Sequence, residues 1–167
     1  MKNPDISIII PTKNGGDKFP LALEKMFSYR GKYEFEVVVV DSGSTDGTIQ
    51  AASRYGIRLF RIAPEEFGHG KTRNYAASIS SGKYLVFTTQ DAIPRDNDWI
   101  ERLASNFDDE EIAGVYGRQI PFNTNPYEEY FLRTAYHGKK TRKVLSEGKV
   151  ISYKEIFFSN VNSAIRK

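Results

Sequence analysis

The feature that most constrains this chain is an alternation in its first half. Short β-branched runs at Ile6–Ile10, Glu36–Val40, Arg58–Ile62 and Tyr84–Thr88 alternate with stretches of helical spacing. The first, second and fourth runs are nearly continuous in apolar residues, as strands buried on both faces must be. Between them, Asp17–Tyr29 repeats Leu21, Leu23, Met26 and Phe27 at helix-compatible intervals, and Asp46–Tyr55 and Lys71–Ser80 are the next helical candidates. Gly56 and Gly82 follow the last two, where a left-handed C-cap suits glycine. Strand–helix–strand units of this length predict right-handed crossovers and a mainly parallel sheet, hence an α/β domain.

The second half is less regular. Asn97–Phe107 carries a stripe of Trp99, Ile100, Leu103 and Phe107 and reads as a helix. Ile112–Ile120 reads as a strand, and aromatic-rich Tyr127–Tyr136 as a helix over the sheet's end. Lys139–Lys149 is a basic run expected to form a mobile loop, a lid or a solvated surface. No repeat or interdomain linker breaks the 167 residues, a length that fits one domain of about 100–200 residues.

Composition narrows the chemistry. The chain has 24 Lys+Arg against 21 Asp+Glu, a net charge of +3. These charges are dispersed, without the basic stripe of a nucleic-acid binder. The absence of cysteine excludes disulfides, thiolate zinc and a cysteine nucleophile. Two histidines, His69 and His137, leave little for a histidine-rich metal site. No apolar run approaches the roughly 20 residues of a membrane span, and Met1–Ile10 lacks the layout of a signal peptide. A soluble protein of a reducing, cytoplasmic compartment is expected.

In open parallel sheets ligands bind beyond the carboxyl ends of the strands. Three polar segments stand there: Pro11-Thr12-Lys13-Asn14-Gly15-Gly16, Asp41-Ser42-Gly43-Ser44-Thr45-Asp46-Gly47-Thr48 and Thr89-Gln90-Asp91-Ala92-Ile93-Pro94. Each also has a plain structural reading. Asn14-Gly15-Gly16 could be a turn, one of Ser44, Thr45 or Asp46 a helix cap, and Asp91 a cap or surface turn. Lys71 and Arg73 could lie on a solvated helix face, and His69, between two glycines, in a loop. Asp41 abuts four valines and has no evident structural duty. Neither a G-x-G-x-x-G loop nor a G-x-x-x-x-G-K-[ST] loop is present, so a dinucleotide dehydrogenase and a P-loop enzyme are not expected. A phosphoacceptor receiver domain also places acids at strand ends, but the order of motifs does not favour it.

Taken together, five segments resemble the family-2 glycosyltransferases of the GT-A fold, particularly bacterial rhamnosyltransferase-like members. They are Ser7–Asn14, Val38–Thr48, Gly70–Asn74, Thr88–Pro94 and Phe158–Ala164, in the family's order. The resemblance implies a Rossmann-like, mainly parallel central sheet flanked by helices. It also implies a nucleotide-sugar donor such as dTDP-rhamnose or a UDP-sugar, and a saccharide or lipid-linked acceptor. Inverting transfer would serve bacterial surface polysaccharide synthesis in the cytoplasm, with association at the inner membrane face.

Residue by residue, Pro11, Thr12, Lys13 and Asn14 with Asp41 and Ser42 would hold base and ribose. Ser42 stands where many relatives have a second acid. Lys71 and Arg73 would face the diphosphate, and Gln90 the ribose or donor sugar. Asp91 would hold Mg²⁺ or Mn²⁺ as the last acid of a D-x-D-like motif that Thr89 and Gln90 deplete. The family's catalytic base, an aspartate downstream of Ser159–Ala164, is expected beyond Lys167, making residues 1–167 a C-terminally incomplete, nucleotide-sugar-binding part of the domain. The alternative is a nucleotide-sugar-binding module without turnover.

Overall fold

The computed structural model describes residues 3–121, 125–136, 138–144, 152 and 157–167. A six-stranded sheet runs through it in the order β3-β2-β1-β4-β6-β5. Its first four members, β1 (Ile6–Thr12), β2 (Phe35–Asp41), β3 (Arg58–Arg61) and β4 (Tyr84–Phe87), are mutually parallel. β5 (Gly114–Tyr116) and β6 (Ser163–Arg166) complete the sheet, with β6 antiparallel to both β4 and β5. The helices are α1 (Lys18–Phe27), α2 (Thr48–Ala52), α3 (His69–Ile79), α4 (Trp99–Ala104) and α5 (Pro126–Ala135).

Both sheet faces are covered, which explains the unbroken apolar runs. One face of β1 and β2 presents Ile6, Ile8, Ile10, Val37 and Val39 to α1, α2 and α4 through Phe19, Leu23, Met26, Ala51, Ile100 and Leu103. The other presents Ile9, Val38 and Val40 to α3 through Ala76 and its neighbours Ala77 and Ile79. Alternate residues of one strand therefore serve two cores.

The expected α/β architecture is present, with three differences. Ser163–Arg166 forms an antiparallel strand inserted between β4 and β5. The strand expected over Ile112–Ile120 is confined to Gly114–Tyr116. Gly56 and Gly82 are not left-handed caps, since among the described residues the glycines with positive φ are Gly16 and Gly43. Gly82 serves close approach instead: a Cβ there would lie 2.5 Å from the backbone nitrogen of Ser7. In the basic run, Arg142 pairs with Asp109 and Glu111, while residues 145–149 lie outside the described residues.

At the amino edge of the sheet a second polar cluster ties strands and connections together. Glu36 accepts from the Ser7 hydroxyl (2.5 Å), the Ser81 N–H (2.6 Å) and Arg58 Nη1 (2.8 Å). A cleft lined by Asn3, Pro4, Glu34, Phe35 and Glu36 lies at this edge, opposite the loops that follow the strands.

Candidate functional site

The loops after β1, β2 and β4 meet at the carboxyl edge and are cross-bonded side chain to backbone. Thr12 ends β1 directly opposite Asp41, which ends β2. From the other side, Gln90 Oε1 accepts from the Thr12 hydroxyl (2.6 Å) and the Lys13 N–H (2.8 Å), and its Nε2 donates to the Lys13 carbonyl (3.1 Å). Gln90 thus reads the backbone of the first loop as a strand would.

Asn14 takes a left-handed conformation, φ 49°, uncommon outside glycine but tolerated by asparagine. It faces the second loop reciprocally: its N–H donates to Ser44 Oγ (2.8 Å) and its Oδ1 accepts from the Thr45 N–H (2.8 Å). Gly15 N–H donates to Thr48 Oγ1 (2.7 Å) and Gly16 N–H to Asp46 Oδ2 (3.1 Å). Asp46 Oδ1 also accepts from the Thr48 N–H, the first of α2, at 3.0 Å. The N-cap of α2 is Gly47, without a side-chain cap bond, so none of the three capping candidates occupies that position. The hydrogen bonds of Asp46 with Thr48 and Gly16 hold its carboxyl below the usual aspartate value.

Asp41 is fully buried. Its carboxylate accepts from the Gly43 N–H (3.0 Å) and the Ser44 N–H (3.1 Å), and also from the Ser44 hydroxyl. Gly43 has φ 93°, a conformation that costs other residues substantially, and this sharp turn points the two N–H groups back at the acid. Arg61, at the end of β3, brings Nε to 4.0 Å from Asp41 Oδ2. Ser42 is buried too, and its N–H and hydroxyl both donate to the Thr12 carbonyl (3.0 and 3.3 Å). In this arrangement Asp41 and Ser42 build the floor of the site and fix the loop above it.

Lys71 and Arg73 lie near the start of α3, which the β3–α3–β4 crossover brings to the same edge. Lys71 is exposed and lines a cavity of about 300 Å³ with Ile62, Glu66, Thr72 and Tyr75. Arg73 is half-buried; its Nη1 donates to the His69 carbonyl (2.9 Å) and its Nε has no partner among the described residues. Burial lowers the guanidinium's pKa. No hydrogen bond among the described residues joins Lys71 or Arg73 to the Thr12–Gln90–Asp41 cluster. His69 begins α3 and does not belong to the preceding loop.

Asp91 is exposed in the turn after β4 and makes no hydrogen bond or ion pair among the described residues. No group of three or more His, Asp or Glu side chains suited to a metal ion occurs among them. The structure therefore brings Thr12, Lys13, Asn14, Asp41, Ser42 and Gln90 into one bonded unit, with Asp91 beside it in sequence. Arg61 and Gly43 were not singled out from sequence. The Gly at the centre of Ser42-Gly43-Ser44 was the available signal for the second.

The arrangement offers a polar rim, N–H groups held by buried acceptors, two basic residues and one unpaired carboxylate. Such a set can receive an anionic, polar ligand and a hard cation. The family model for glycosyl transferase family 2 matches residues 7–167. The chain is 36% identical over 165 residues to the O-antigen chain rhamnosyltransferase RfbN of Salmonella typhimurium, covering 97% of this chain and 52% of that protein. It is 34% identical to the O-antigen chain rhamnosyltransferase WbaN of Salmonella anatum, covering 98% of this chain and 53% of that one. The chain thus spans about half the length of these relatives.

Among solved structures, Staphylococcus aureus TarS 1-349 in complex with UDP-GlcNAc is 28% identical, with a TM-score of 0.57 over 71% of this chain and 37% of that one. The mannosyltransferase PcManGT from Pyrobaculum calidifontis, in complex with GDP-Man and Mn²⁺, shares the fold at 21% identity. Its TM-score is 0.63, over 99% of this chain and 45% of that one. The parallel sheet, the loop cluster at its carboxyl edge and the match along nearly all of its residues lead to one conclusion: this chain, with its GT-A fold, belongs to glycosyl transferase family 2.

Proposed function

We propose that residues 1–167 form the nucleotide-sugar-binding part of a glycosyltransferase. It would move a sugar, with inversion, from dTDP-rhamnose or a UDP-sugar to a saccharide or lipid-linked acceptor in bacterial surface polysaccharide synthesis. The observation that carries this reading is the bonded convergence of Thr12–Asn14, Asp41–Ser44 and Gln90 at the carboxyl edge, with Asp91 unpaired beside it. The rhamnosyltransferase relatives favour a rhamnose donor, and the TarS complex favours a uridine nucleotide as the competing choice. The reaction is placed in the cytoplasm, at the inner face of the membrane where a lipid-linked acceptor would be met. No helix among the described residues is long and apolar enough to cross that membrane.

In this reading Pro11–Asn14 and the Asp41–Ser42 floor receive base and ribose, Lys71 and Arg73 face the diphosphate, and Gln90 adjoins ribose or sugar. Asp91 would hold Mg²⁺ or Mn²⁺. A lone, exposed carboxylate fits a hard cation that keeps waters and takes phosphate oxygens as its other ligands. When bound, such an ion neutralises charge developing on the leaving diphosphate. The partly desolvated Arg73 adds fixed positive charge for the same purpose, and a fixed charge away from bulk water acts more strongly than one in it.

Inversion requires a general base for the acceptor hydroxyl. Asp41 does not suit this role, because its buried carboxylate already accepts from Gly43 and Ser44. No residue within 1–167 is proposed as the base, which would lie outside them. Incubating the chain with Mn²⁺ and dTDP-rhamnose or UDP-GlcNAc, with nucleotide release as readout, tests this. Donor binding with little or no released nucleotide is expected. Vigorous turnover would contradict the placement of the base.

A further inference from the structure

The carboxyl edge continues past Asp91 onto β6 and β5. Because β6 runs antiparallel to β4 with Ser163 opposite Phe87, the residues just before Ser163 lie beside those just after Phe87. Residues 160–162 therefore flank the Thr88–Asp91 turn. β5 pairs with β6 through Tyr116 and Ser163, so Gly117–Gln119 emerge at the same edge. A Gly117–Asn162 bond closes this corner, the Gly117 N–H donating to the Asn162 carbonyl at 2.7 Å.

This ledge is held by a polar network that the sheet ladder does not need. Tyr136 Oη, at the end of α5, donates to Ser159 Oγ (2.9 Å), and Gln119 Nε2 donates to Tyr136 Oη (2.6 Å) and Ser159 Oγ (3.2 Å). Tyr136 and Ser159 are buried, at 6% and 5% exposure. A buried, satisfied network of this kind imposes one geometry on the segments it joins. Tyr116 packs edge-on against Tyr136, Phe157 and Phe158 beneath it. Asn162 lies across Gly117, where a Cβ would come within 2.2 Å of its Nδ2. Among the described residues neither the Asn160 nor the Asn162 side-chain amide has a hydrogen-bond partner.

Order along the edge then assigns the ledge. From β2 to β5 the sheet advances four strand intervals, roughly 19 Å at the usual spacing. On the donor-site reading above, on which this inference rests, the nucleoside lies over β2 and β1 and the diphosphate by Asp91 after β4. The next group of a linear nucleotide-sugar falls over β6 and β5. Uncharged amides, each with donors and an acceptor, pair with polyol hydroxyls in both senses, whereas a phosphate engages their donors alone. We propose that Asn160 and Asn162, positioned by the Gln119–Tyr136–Ser159 network, recognise hydroxyl groups of the donor's sugar.

The test is the affinity gained from the sugar. Dissociation constants for dTDP and dTDP-rhamnose, and for UDP and UDP-GlcNAc, are measured by calorimetry with Mn²⁺ on wild type, Asn160→Ala and Tyr136→Phe. Asn160→Ala is expected to weaken the better-binding nucleotide-sugar about threefold to tenfold, the range of one net hydrogen bond, with its parent nucleotide unchanged. Tyr136→Phe keeps the ring and is expected to shrink the same sugar increment. A purely structural tyrosine would lower the unfolding temperature and leave the ratio of the two constants untouched, which would overturn the positioning role. Equal weakening of nucleotide and nucleotide-sugar by Asn160→Ala, no weakening of either, or a wild type that gains nothing from the sugar would each overturn the assignment while leaving the donor site standing. A wild type that binds none of the four probes would overturn both readings.

Discussion

Gln90 and Lys13 are joined through two hydrogen bonds, Oε1 accepting from the Lys13 N–H at 2.8 Å and Nε2 donating to its carbonyl at 3.1 Å. The same Oε1 takes the Thr12 hydroxyl. Gln90→Ala removes all three bonds and leaves the buried Thr12 hydroxyl unpaired. A loss of about 1–3 kcal/mol in unfolding free energy is expected from the orphaned group, measured by urea denaturation. Donor affinity should fall with it. A variant as stable as wild type would show that the glutamine does not hold the first loop.

Asp41→Asn tests the floor. The amide that replaces the carboxylate keeps one acceptor oxygen, yet Gly43 N–H and both donors of Ser44 converge on two. Hydrogen bonds to charged groups are worth about 1.5–3 kcal/mol, and a loss of that order is expected. Increased amide hydrogen exchange at Gly43 and Ser44 should accompany it.

At the opposite edge, Gly82→Ala brings a Cβ to 2.5 Å from Ser7 nitrogen and 2.6 Å from the Ile6 carbonyl carbon. Backbone atoms of a central strand cannot step aside. A destabilisation of about 1–3 kcal/mol, typical of overpacking, is expected by thermal or chemical unfolding, and none is expected at the exposed Gly56.

Stability should fall in acid partly through Glu36. Burial alone would raise its pKa, but the Ser7 hydroxyl, Arg58 and the Ser81 N–H together hold it below the usual glutamate value. A group depressed in the folded state contributes stability above its unfolded pKa of about 4.3, and that contribution disappears as pH drops through the folded value. Glu36→Gln should flatten this part of the acid limb in urea titrations. Tyr29 acts at the other end: burial and the Glu101 hydrogen bond push it up to about 12. Its contribution is complete below about pH 10 and disappears as pH rises toward the folded value; Tyr29→Phe should remove that alkaline dependence.

Much of this architecture was legible because it is written locally. The β-branched runs Ile6–Ile10 and Glu36–Val40 announce buried parallel strands, and the polar segments after them mark the edge where ligands meet the sheet. β6 was not legible in the same way. Ser163-Ala164-Ile165-Arg166 carries one large apolar residue and is a strand because β4 and β5 supply partners on both sides, a non-local cause. Gly82 follows a helix, as a C-cap glycine would, but what it meets is a strand 75 residues earlier. Arg61 looks like any exposed strand-end cation until the fold sets it against Asp41. Asp41 has no evident structural duty in the sequence, yet its buried carboxylate holds the turn after β2, because the partners it takes depend on the positive φ of Gly43.

The central claim is that this edge binds a nucleotide-sugar with a divalent ion at Asp91, and calorimetric titration of dTDP-rhamnose and UDP-GlcNAc with and without Mn²⁺ tests it most directly. The account predicts weak Mn²⁺ binding to the donor-free chain, tighter donor binding when Mn²⁺ is present, and loss of that Mn²⁺-dependent gain in Asp91→Asn. Tight Mn²⁺ binding without donor, or an undiminished Mn²⁺-dependent gain in Asp91→Asn, would contradict it.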